Sequence, residues 1–485
     1  MRRLSRSPLP ALAFALVSAL GATAAAQSGV RVDVAGVGQA TAVRSLGGES
    51  ILWRRYTQYV GLRGDQPLGD RDGPRLDFEG RLRIATDFGP TSAVRNRIDR
   101  PADRFSDNTI ETLFVRLDEL GDRADVTLGR QLRVDPLGFA HFDGGALDYR
   151  APSGLTASVF VGAQVTEGWL GVNSADFDQD GLDRYNPAFG EPVLLQGGDV
   201  GFEGEHFRVR LGGRQGYRLG GGPALPEGFE PQTPGGQPAT EQRLGGALHG
   251  QPAERVELDG DVIYNVALAT FDRTAAGGVV YLPWAESWVG AGVETWRPAF
   301  RLDSIFNVFG ATPQGRYRLR GGGRWDGEHG ALQLESGVHW ARYGDDDLSA
   351  ALPGFAPGTD ALGADVRTTF RLARAARRWA PTFDGWLHLR AEGGYAGTLL
   401  SARAGGTVEL INQALWLWTS GQFAWMEHDL QPFRTGPLAA GSLGTSWTAS
   451  RWGVVSTFAE LASTADYLYA LAFFGSYQLD FDLMD

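Results

Sequence analysis

Short runs in which apolar and polar residues alternate recur along most of the chain. The clearest run spans residues 314–325, where one parity is apolar and the other is strongly basic. Its apolar positions are Tyr317, Leu319 and Trp325, and its basic positions are Arg316, Arg318, Arg320 and Arg324. Because successive side chains of a β-strand point to opposite faces, this run predicts a strand with one apolar and one charged face.

The same alternation is found in at least four further runs, at residues 76–84, 206–211, 256–262 and 362–372. Any one of them fits the solvated outer face of a soluble sandwich. A long series of such strands, with no helices to cover a shared core, favours a closed barrel whose apolar face lies in lipid and whose charged face lines a wet lumen. The predicted fold is therefore all-β, a transmembrane antiparallel up-and-down barrel.

Connection lengths support the barrel, because outer-membrane barrels alternate short turns with longer loops. Short joints are predicted near residues 121–122, 152–153, 204–205, 251–254, 326–329, 412–413 and 450–451. Longer connections are predicted at 89–108, 167–191, 219–241, 299–313, 343–360 and 428–438. Counting between them predicts about 22 strands, or 18–20 if the N-terminal pair or a weak hairpin near residues 270–285 is misassigned.

The N-terminus carries the features of an export signal. Arg2, Arg3 and Arg6 precede an apolar stretch at residues 9–20 and the small-residue run 24–26. This pattern predicts a signal peptide of residues 1–26 with cleavage before Gln27, and a barrel formed by residues 27–485. We expect location in a bacterial outer membrane, with membrane lipid and lipopolysaccharide as partners.

Composition excludes several classes of function. The 485-residue chain has no cysteine and no lysine, so thiol chemistry, thiolate metal sites and Schiff-base chemistry are absent. Its formal net charge is −12, and cleavage of the predicted signal peptide removes three arginines and makes it more negative. This balance argues against a nucleic-acid partner, which usually requires a basic face.

The inward parity of the predicted strands is rich in arginine. The inward parity of other strands carries carboxylates such as Asp77, Glu79 and Asp365, which oppose the arginines in charge. The sequence thus predicts a mixed-charge lumen for the passive passage of polar solutes, including anionic saccharides. The predicted lumen or substrate-path arginines of these alternating runs are Arg81, Arg83, Arg208, Arg210, Arg316, Arg318, Arg320, Arg324, Arg367, Arg371 and Arg390.

Residues 128–150 resemble a known family. They contain Leu128-Gly129-Arg130-Gln131, then Asp135-Pro136, Phe142-Asp143-Gly144 and Leu147-Asp148-Tyr149-Arg150. This segment resembles the strand, loop and strand that follow a "GRQ" signature in the alginate-export family and related outer-membrane porins. The resemblance implies an Arg-rich barrel that conducts an anionic polysaccharide, with this loop near the channel. Gln131, Arg133, Asp148 and Arg150 share the lumen parity, whereas Arg130 has the opposite parity, which predicts a position at a strand end.

An acidic segment at residues 176–183 matches the start of an oxygen-ligand calcium loop. Asp176, Asp178, Asp180 and Asp183 supply the carboxylates and Gly181 the turn, but Pro187 stands where such a loop has its final Glu. The alternatives are a calcium site and a solvated acidic loop. No other cofactor is predicted.

Catalytic constellations are not evident. The seven histidines form no pair at metal-ligand spacing on one predicted element, and no G-x-S-x-G motif occurs. We therefore expect a channel and not an enzyme. A non-conducting structural or adhesin-like barrel and, less favoured, an outer-membrane hydrolase remain as alternatives, and the oligomeric state is not predicted.

Overall fold

The computed structural model describes residues 29–48, 50–68, 73–88, 105–165, 193–219, 239–284, 286–297, 314–343, 360–372, 382–394, 397–411, 414–428, 435–450, 453–465 and 467–482. All regular elements in these ranges are β-strands. The strands are β1 (Gly29–Ser45), β2 (Ser50–Pro67), β3 (Arg75–Asp87), β4 (Phe105–Leu120), β5 (Ala124–Asp135), β6 (Gly138–Arg150), β7 (Leu155–Gln164), β8 (Val193–Glu203), β9 (Phe207–Arg218), β10 (Ala239–Ala253), β11 (Val256–Asn265), β12 (Thr270–Tyr281), β13 (Trp288–Trp296), β14 (Gln314–Gly327), β15 (Gly330–Tyr343), β16 (Ala361–Leu372), β17 (Phe383–Gly394), β18 (Gly397–Ile411), β19 (Leu415–His428), β20 (Gly436–Ser450), β21 (Gly453–Ser463) and β22 (Tyr467–Asp482).

The strands form one closed antiparallel sheet. Each strand pairs with the next along the chain, and β1 pairs with β22, from Arg31 opposite Asp482 to Ser45 opposite Tyr467. Closure removes the edges that would otherwise expose unpaired backbone groups. Because the strands alternate in direction, the start of β1 and the end of β22 lie at one end of the barrel, called here the termini end. No helix of the described residues has the length and apolar character needed to cross a bilayer.

One hairpin leaves the wall of the barrel. β4 pairs with β5 only as far as Arg130, and the β6–β7 pairing reaches no further than Phe142. From Gln131 to Ala140 the two strands of this hairpin therefore pair only with each other. Its tip, at Pro136 and Leu137, contacts β9 and β10, although β7 and β8 lie between in the sheet. We call residues 131–140 the inward hairpin.

These contacts identify the inner face of the sheet. A hairpin of this length reaches across two strands along the concave side, because outward curvature would carry β9 away from it. The contacted residues, Gly212, Arg214 and Gly245, therefore face the interior. The register between neighbouring strands extends this assignment of inward-facing and outward-facing residues to every strand of the barrel. The opposite face carries an apolar belt of exposed side chains, including Leu128, Leu211, Leu244, Leu319, Val338, Leu362, Phe423, Leu443 and Phe473.

The main buried core lies inside the barrel, between the inward hairpin and the wall. Phe142 is fully buried and stacks on Phe160 with a centroid distance of 4.9 Å. Leu195 on β8 and the small residues Ala140 and Ala146 complete this cluster. The inward-facing residues of β6–β8 can be apolar because the hairpin covers them.

The hinge of the inward hairpin is made of glycines. Gly129 on β5 lies opposite Gly144 on β6, which in turn lies opposite Gly162 on β7. Gly129 has a φ of 123°, and a Cβ there would clash with the carbonyl oxygen of Leu113. Only glycine therefore permits the bend at this position without strain.

The structure confirms the all-β barrel and the prediction of about 22 strands. Every predicted short joint lies at or beside a connection between consecutive strands at the termini end, and the weak hairpin near residues 270–285 is the real pair β12 and β13. The longer predicted connections fall at the opposite end, but turns there are not all long. Only two to four residues connect β5 to β6, β11 to β12, β17 to β18 and β21 to β22. The predicted signal peptide lies outside the described residues.

Candidate functional site in the barrel interior

The inward hairpin is held by a buried polar network centred on Arg214 of β9. The Arg214 guanidinium lies 3.4 Å from Asp135 Oδ2 at the hairpin tip and 2.9 Å from Glu241 Oε1 on β10. It also donates hydrogen bonds to the backbone carbonyl oxygens of Phe139, at 3.1 Å, and Leu137, at 3.5 Å. The network therefore joins both strands of the inward hairpin to β9 and β10 around one cation.

Further ion pairs surround this centre. Arg133 on the inward hairpin pairs with Asp148 lower on β6 and donates to the hydroxyl of Ser158 at 3.0 Å. Arg243 on β10 lies 3.0 Å from Asp272 on β12. Because buried charges are costly unless paired, these partners explain how so many charged groups can lie beneath the hairpin.

A second cluster of arginines lines the inner face of β14 to β18. We call it the arginine strip, and its members are Arg316, Arg318, Arg320, Arg367, Arg390 and Arg403. Several of these side chains, together with His339 and His388, surround a cavity of about 140 Å³. The strand order brings the strip together, because the register places Arg318 opposite His339, Arg390 opposite Asp365 and Arg403 opposite His388.

Carboxylates balance only part of this charge. Glu294 on β13 lies 3.2 Å from Arg318 and 3.4 Å from Arg273, so two arginines share it. Asp365 lies 3.6 Å from Arg367, and Glu392 pairs with Arg390. Among the described residues, no carboxylate lies within ion-pair distance of three members of the strip, Arg316, Arg320 and Arg403. The inner wall here has an excess of positive charge.

A third feature is a row of aromatic rings on the inner face of β19, β21 and β22, here called the aromatic row. The ring centroids of Trp418 and Phe458 lie 5.2 Å apart. Phe458 in turn stacks on Phe474 with a centroid distance of 4.2 Å and an angle of 13° between the ring planes. Gly444 lies between Trp418 and Phe458 in the register and leaves room for the indole. On β19, Trp418 is four residues from Gln422, which lies opposite Arg403. The row thus lies beside the arginine strip on the same inner wall.

Hydroxyl groups accompany the aromatic row. Ser420 and Ser442 are hydrogen-bonded at 2.6 Å, and Ser456 donates to Ser446 at 3.0 Å. These side chains share the inward parity with the rings. The inner wall therefore offers cations on one sector, and rings with neutral hydrogen-bonding groups on the next.

The predicted lumen residues of the alternating runs all have the inward parity, although most are not in the strip. Arg81 lies 3.1 Å from Glu111 and over the Tyr59 ring, whereas Arg83 is buried and donates to Thr109. Arg210 lies 2.9 Å from the buried Asp199. Nearer the termini end the predicted arginines are in exposed pairs, namely Arg208 with Glu203, Arg324 with Asp326 and Arg371 with Asp384. Arg150 is also exposed, but its partner Asp125 is buried.

The predicted site residues of segment 128–150 do not all lie on the same face of the sheet. Gln131, Arg133, Asp148 and Arg150 have the inward parity, as predicted, and Gln131 is buried at the base of the inward hairpin. Arg130 is not at a strand end. It lies within β5 on the outward parity, where it forms two 2.6 Å hydrogen bonds with Asp143 and donates to the Ile110 carbonyl oxygen at 2.9 Å. It thus ties the base of the hairpin to β4.

Sequence reasoning did not identify Arg214, Arg243, Arg403 or the aromatic row as site residues. Arg214 continues the parity of Arg208 and Arg210, so a longer reading of the same alternation would have found it. No local sequence signal indicates that Arg214 and Asp135 lie close together, because their contact depends on the bend of the hairpin. The predicted calcium ligands Asp176, Asp178, Asp180 and Asp183 lie outside the described residues.

Comparison with known proteins gives likenesses of fold only. No family model matches the chain, and no curated protein matches it. Among solved structures, it resembles OccAB1 of Acinetobacter baumannii with a TM-score of 0.43 and 8% identity, covering 94% of this chain and 97% of that one. It also resembles OccK8 (OprE) of Pseudomonas aeruginosa, with a TM-score of 0.43, 7% identity and coverage of 94% and 99%. OccK2 (OpdF) of the same organism, crystallised with glucuronate, has a TM-score of 0.40, 10% identity and coverage of 94% and 98%. These values assign the chain to no family.

Proposed function

We propose that this barrel is an outer-membrane channel for the passive passage of polar anionic solutes, including acidic saccharides. The observation that carries the proposal is the excess positive charge of the arginine strip, in which Arg316, Arg320 and Arg403 have no carboxylate partner among the described residues. A row of like charges on a barrel wall is electrostatically unfavourable unless an anion compensates it. Passing anions supply that compensation.

The membrane location is supported by the outward belt of apolar side chains. Exposed leucines such as Leu128 and Leu362, with 62% and 68% of their surface accessible, are unfavourable in water and favourable in lipid. A closed sheet satisfies its own backbone hydrogen bonds, as a bilayer requires. The inner face, by contrast, carries the ion pairs and the arginines that have no carboxylate partner in the described part of the chain, and these charged groups need water or counterions.

The saccharide part of the proposal rests on the aromatic row. A flat ring surface accommodates the apolar face of a sugar, while neighbouring hydroxyls such as Ser420 and Ser456 exchange hydrogen bonds with its edge. The arginine strip beside it suits a carboxylate on the same sugar, since guanidinium groups bind carboxylates in bidentate geometry. The two sectors together match a solute with both a ring and an acid group.

The inward hairpin supports selection by size. Its core and the Arg214 network occupy part of the interior, so a solute must pass beside them. The same observation favours the second candidate, a structural barrel that conducts nothing. Conductance of the purified protein separates the two candidates.

The experiment is single-channel recording of refolded protein in planar bilayers, with added trigalacturonate or neutral maltotriose as probes. We expect steady conductance, and transient block by the acidic trisaccharide at lower concentration than by the neutral one. A Phe458→Ala, Phe474→Ala variant should shorten both kinds of block, because the stacking surface is lost. The matched control is Phe423→Ala, whose ring lies on the outward face and is 55% exposed there. Absence of conductance in correctly folded protein would reject the channel.

A further inference from the structure

Three ligand-type side chains converge on the inner face near the termini end, away from the strip and the row. His249 on β10 lies opposite Asp259 on β11, and Glu257 precedes Asp259 by two residues on the same face. His249 Nδ1 lies 2.7 Å from Asp259 Oδ1 and 3.9 Å from Glu257 Oε1. One donor atom from each residue lies within 4.8 Å of the other two.

The charge of this cluster is not balanced by arginine. Among the described residues, neither Glu257 nor Asp259 has an arginine within ion-pair distance, and their charged contacts are with His249 alone. This differs from Glu294, Asp365 and Glu392, each of which pairs with an arginine. Arg208, which lies opposite His249 on β9, is directed to Glu203 at 3.0 Å. Two carboxylates are therefore left facing one imidazole.

A neighbouring hydroxyl orients the cluster. Tyr281 at the end of β12 donates a hydrogen bond of 2.8 Å to Glu257 Oε2, which leaves Oε1 directed to the imidazole. Metal-binding carboxylates are commonly fixed in this way by a donor on their second oxygen. The tyrosine is thus an independent observation that one oxygen of Glu257 is oriented and the other is available.

We propose that His249, Glu257 and Asp259 bind a divalent transition-metal cation of the zinc class. One imidazole nitrogen and two carboxylate oxygens are ligand types that zinc accepts, and a tetrahedral site then has one position for water or a solute group. Closure needs ligand distances of about 2.0–2.2 Å, which small rotations of exposed side chains on two paired strands can provide. The proposal is independent of whether the barrel conducts.

The test is zinc titration of the full-length refolded protein in detergent, followed by competition with a chromophoric chelator, with cobalt absorbance as a second readout. We expect one tight site, with cobalt giving the intense visible absorption of tetrahedral coordination. His249→Ala and Asp259→Asn should each weaken affinity by at least tenfold, and Tyr281→Phe by about tenfold, since loss of an outer partner commonly costs 10–100-fold. Heat-modifiable gel migration verifies the fold of every variant.

The matched control is His329→Ala, which removes an exposed histidine in the β14–β15 turn at the same end of the barrel. It should leave the affinity unchanged. The proposal is overturned if the wild type binds zinc no more tightly than folded His249→Ala, or if His329→Ala causes the same loss. An octahedral cobalt spectrum that does not change in Asp259→Asn would also overturn it.

Discussion

The guanidinium of Arg214 on β9 lies 3.4 Å from the carboxylate of Asp135 at the tip of the inward hairpin, with both side chains at least 94% buried. The two residues are 79 positions apart in the sequence, and β7 and β8 lie between the hairpin and β9 in the sheet. Their pairing is possible only because the hairpin bends into the barrel. Arg214 thus attaches the tip of the hairpin to β9.

Arg214→Gln should therefore release the inward hairpin. Removing one partner of a buried pair leaves an uncompensated charge, and such losses cost about 3–5 kcal/mol. We expect faster amide hydrogen exchange at residues 131–140 while the exchange of the barrel wall is unchanged. Arg208→Gln is the control, because Arg208 shares the strand and parity but forms an exposed pair with Glu203. Equal exchange in wild type and Arg214→Gln would show that the hairpin is held by its apolar core instead.

Gly129→Ala should disturb the hinge. A non-glycine residue at its φ of 123° is strained by about 1–3 kcal/mol, and the added methyl would clash with the backbone of Leu113. We expect a lower midpoint in urea unfolding of the folded barrel, followed by heat-modifiable migration. Gly421→Ala is the matched control, since a Cβ there meets nothing within 4 Å. If both variants unfold at the same urea concentration, the hinge argument is wrong.

The acidic loop gives a separate prediction. If Asp176, Asp178, Asp180 and Asp183 bind calcium, adding the ion should slow proteolysis within residues 167–191, because ligands fixed around an ion order the segment. Asp178→Ala, Asp180→Ala should abolish the protection. The control is the acidic run at residues 345–347, whose replacement by alanine should leave the protection intact. Wild-type cleavage that is insensitive to calcium would leave only the solvated acidic loop.

Sequence alone predicted the barrel because its signal is local. The alternation of Arg316, Arg318 and Arg320 with Tyr317 and Leu319 depends on strand geometry alone, and the register of β14 shows the same division of faces. Turn positions were also predictable, since the chain must reverse where alternation stops. Each of these two signals is contained within a few neighbouring residues of the sequence.

The arrangement of the interior was less predictable because it depends on distant contacts. Nothing near Asp135 indicates Arg214, and nothing near His249 indicates a partner on β11, since register between strands is set by the whole sheet. A search for metal ligands on single elements could not find a site that two strands share. The position of Arg130 within β5, and not at a strand end, was also missed, because only the pairing of β5 with β6 brings it beside Asp143.

The most direct measurement of the proposed function is the reversal potential of single channels under a salt gradient, in wild type and in Arg316→Gln, Arg318→Gln, Arg320→Gln. The arginine strip should make the wild type anion-selective, and the triple variant should shift the potential toward cation selectivity. The shift should shrink at about 1 M salt, where the Debye length is about 3 Å. Arg54→Gln, on the outward face against Phe88, should change nothing. A triple variant that folds and conducts with the wild-type reversal potential would contradict the role of the arginine strip in selecting anions.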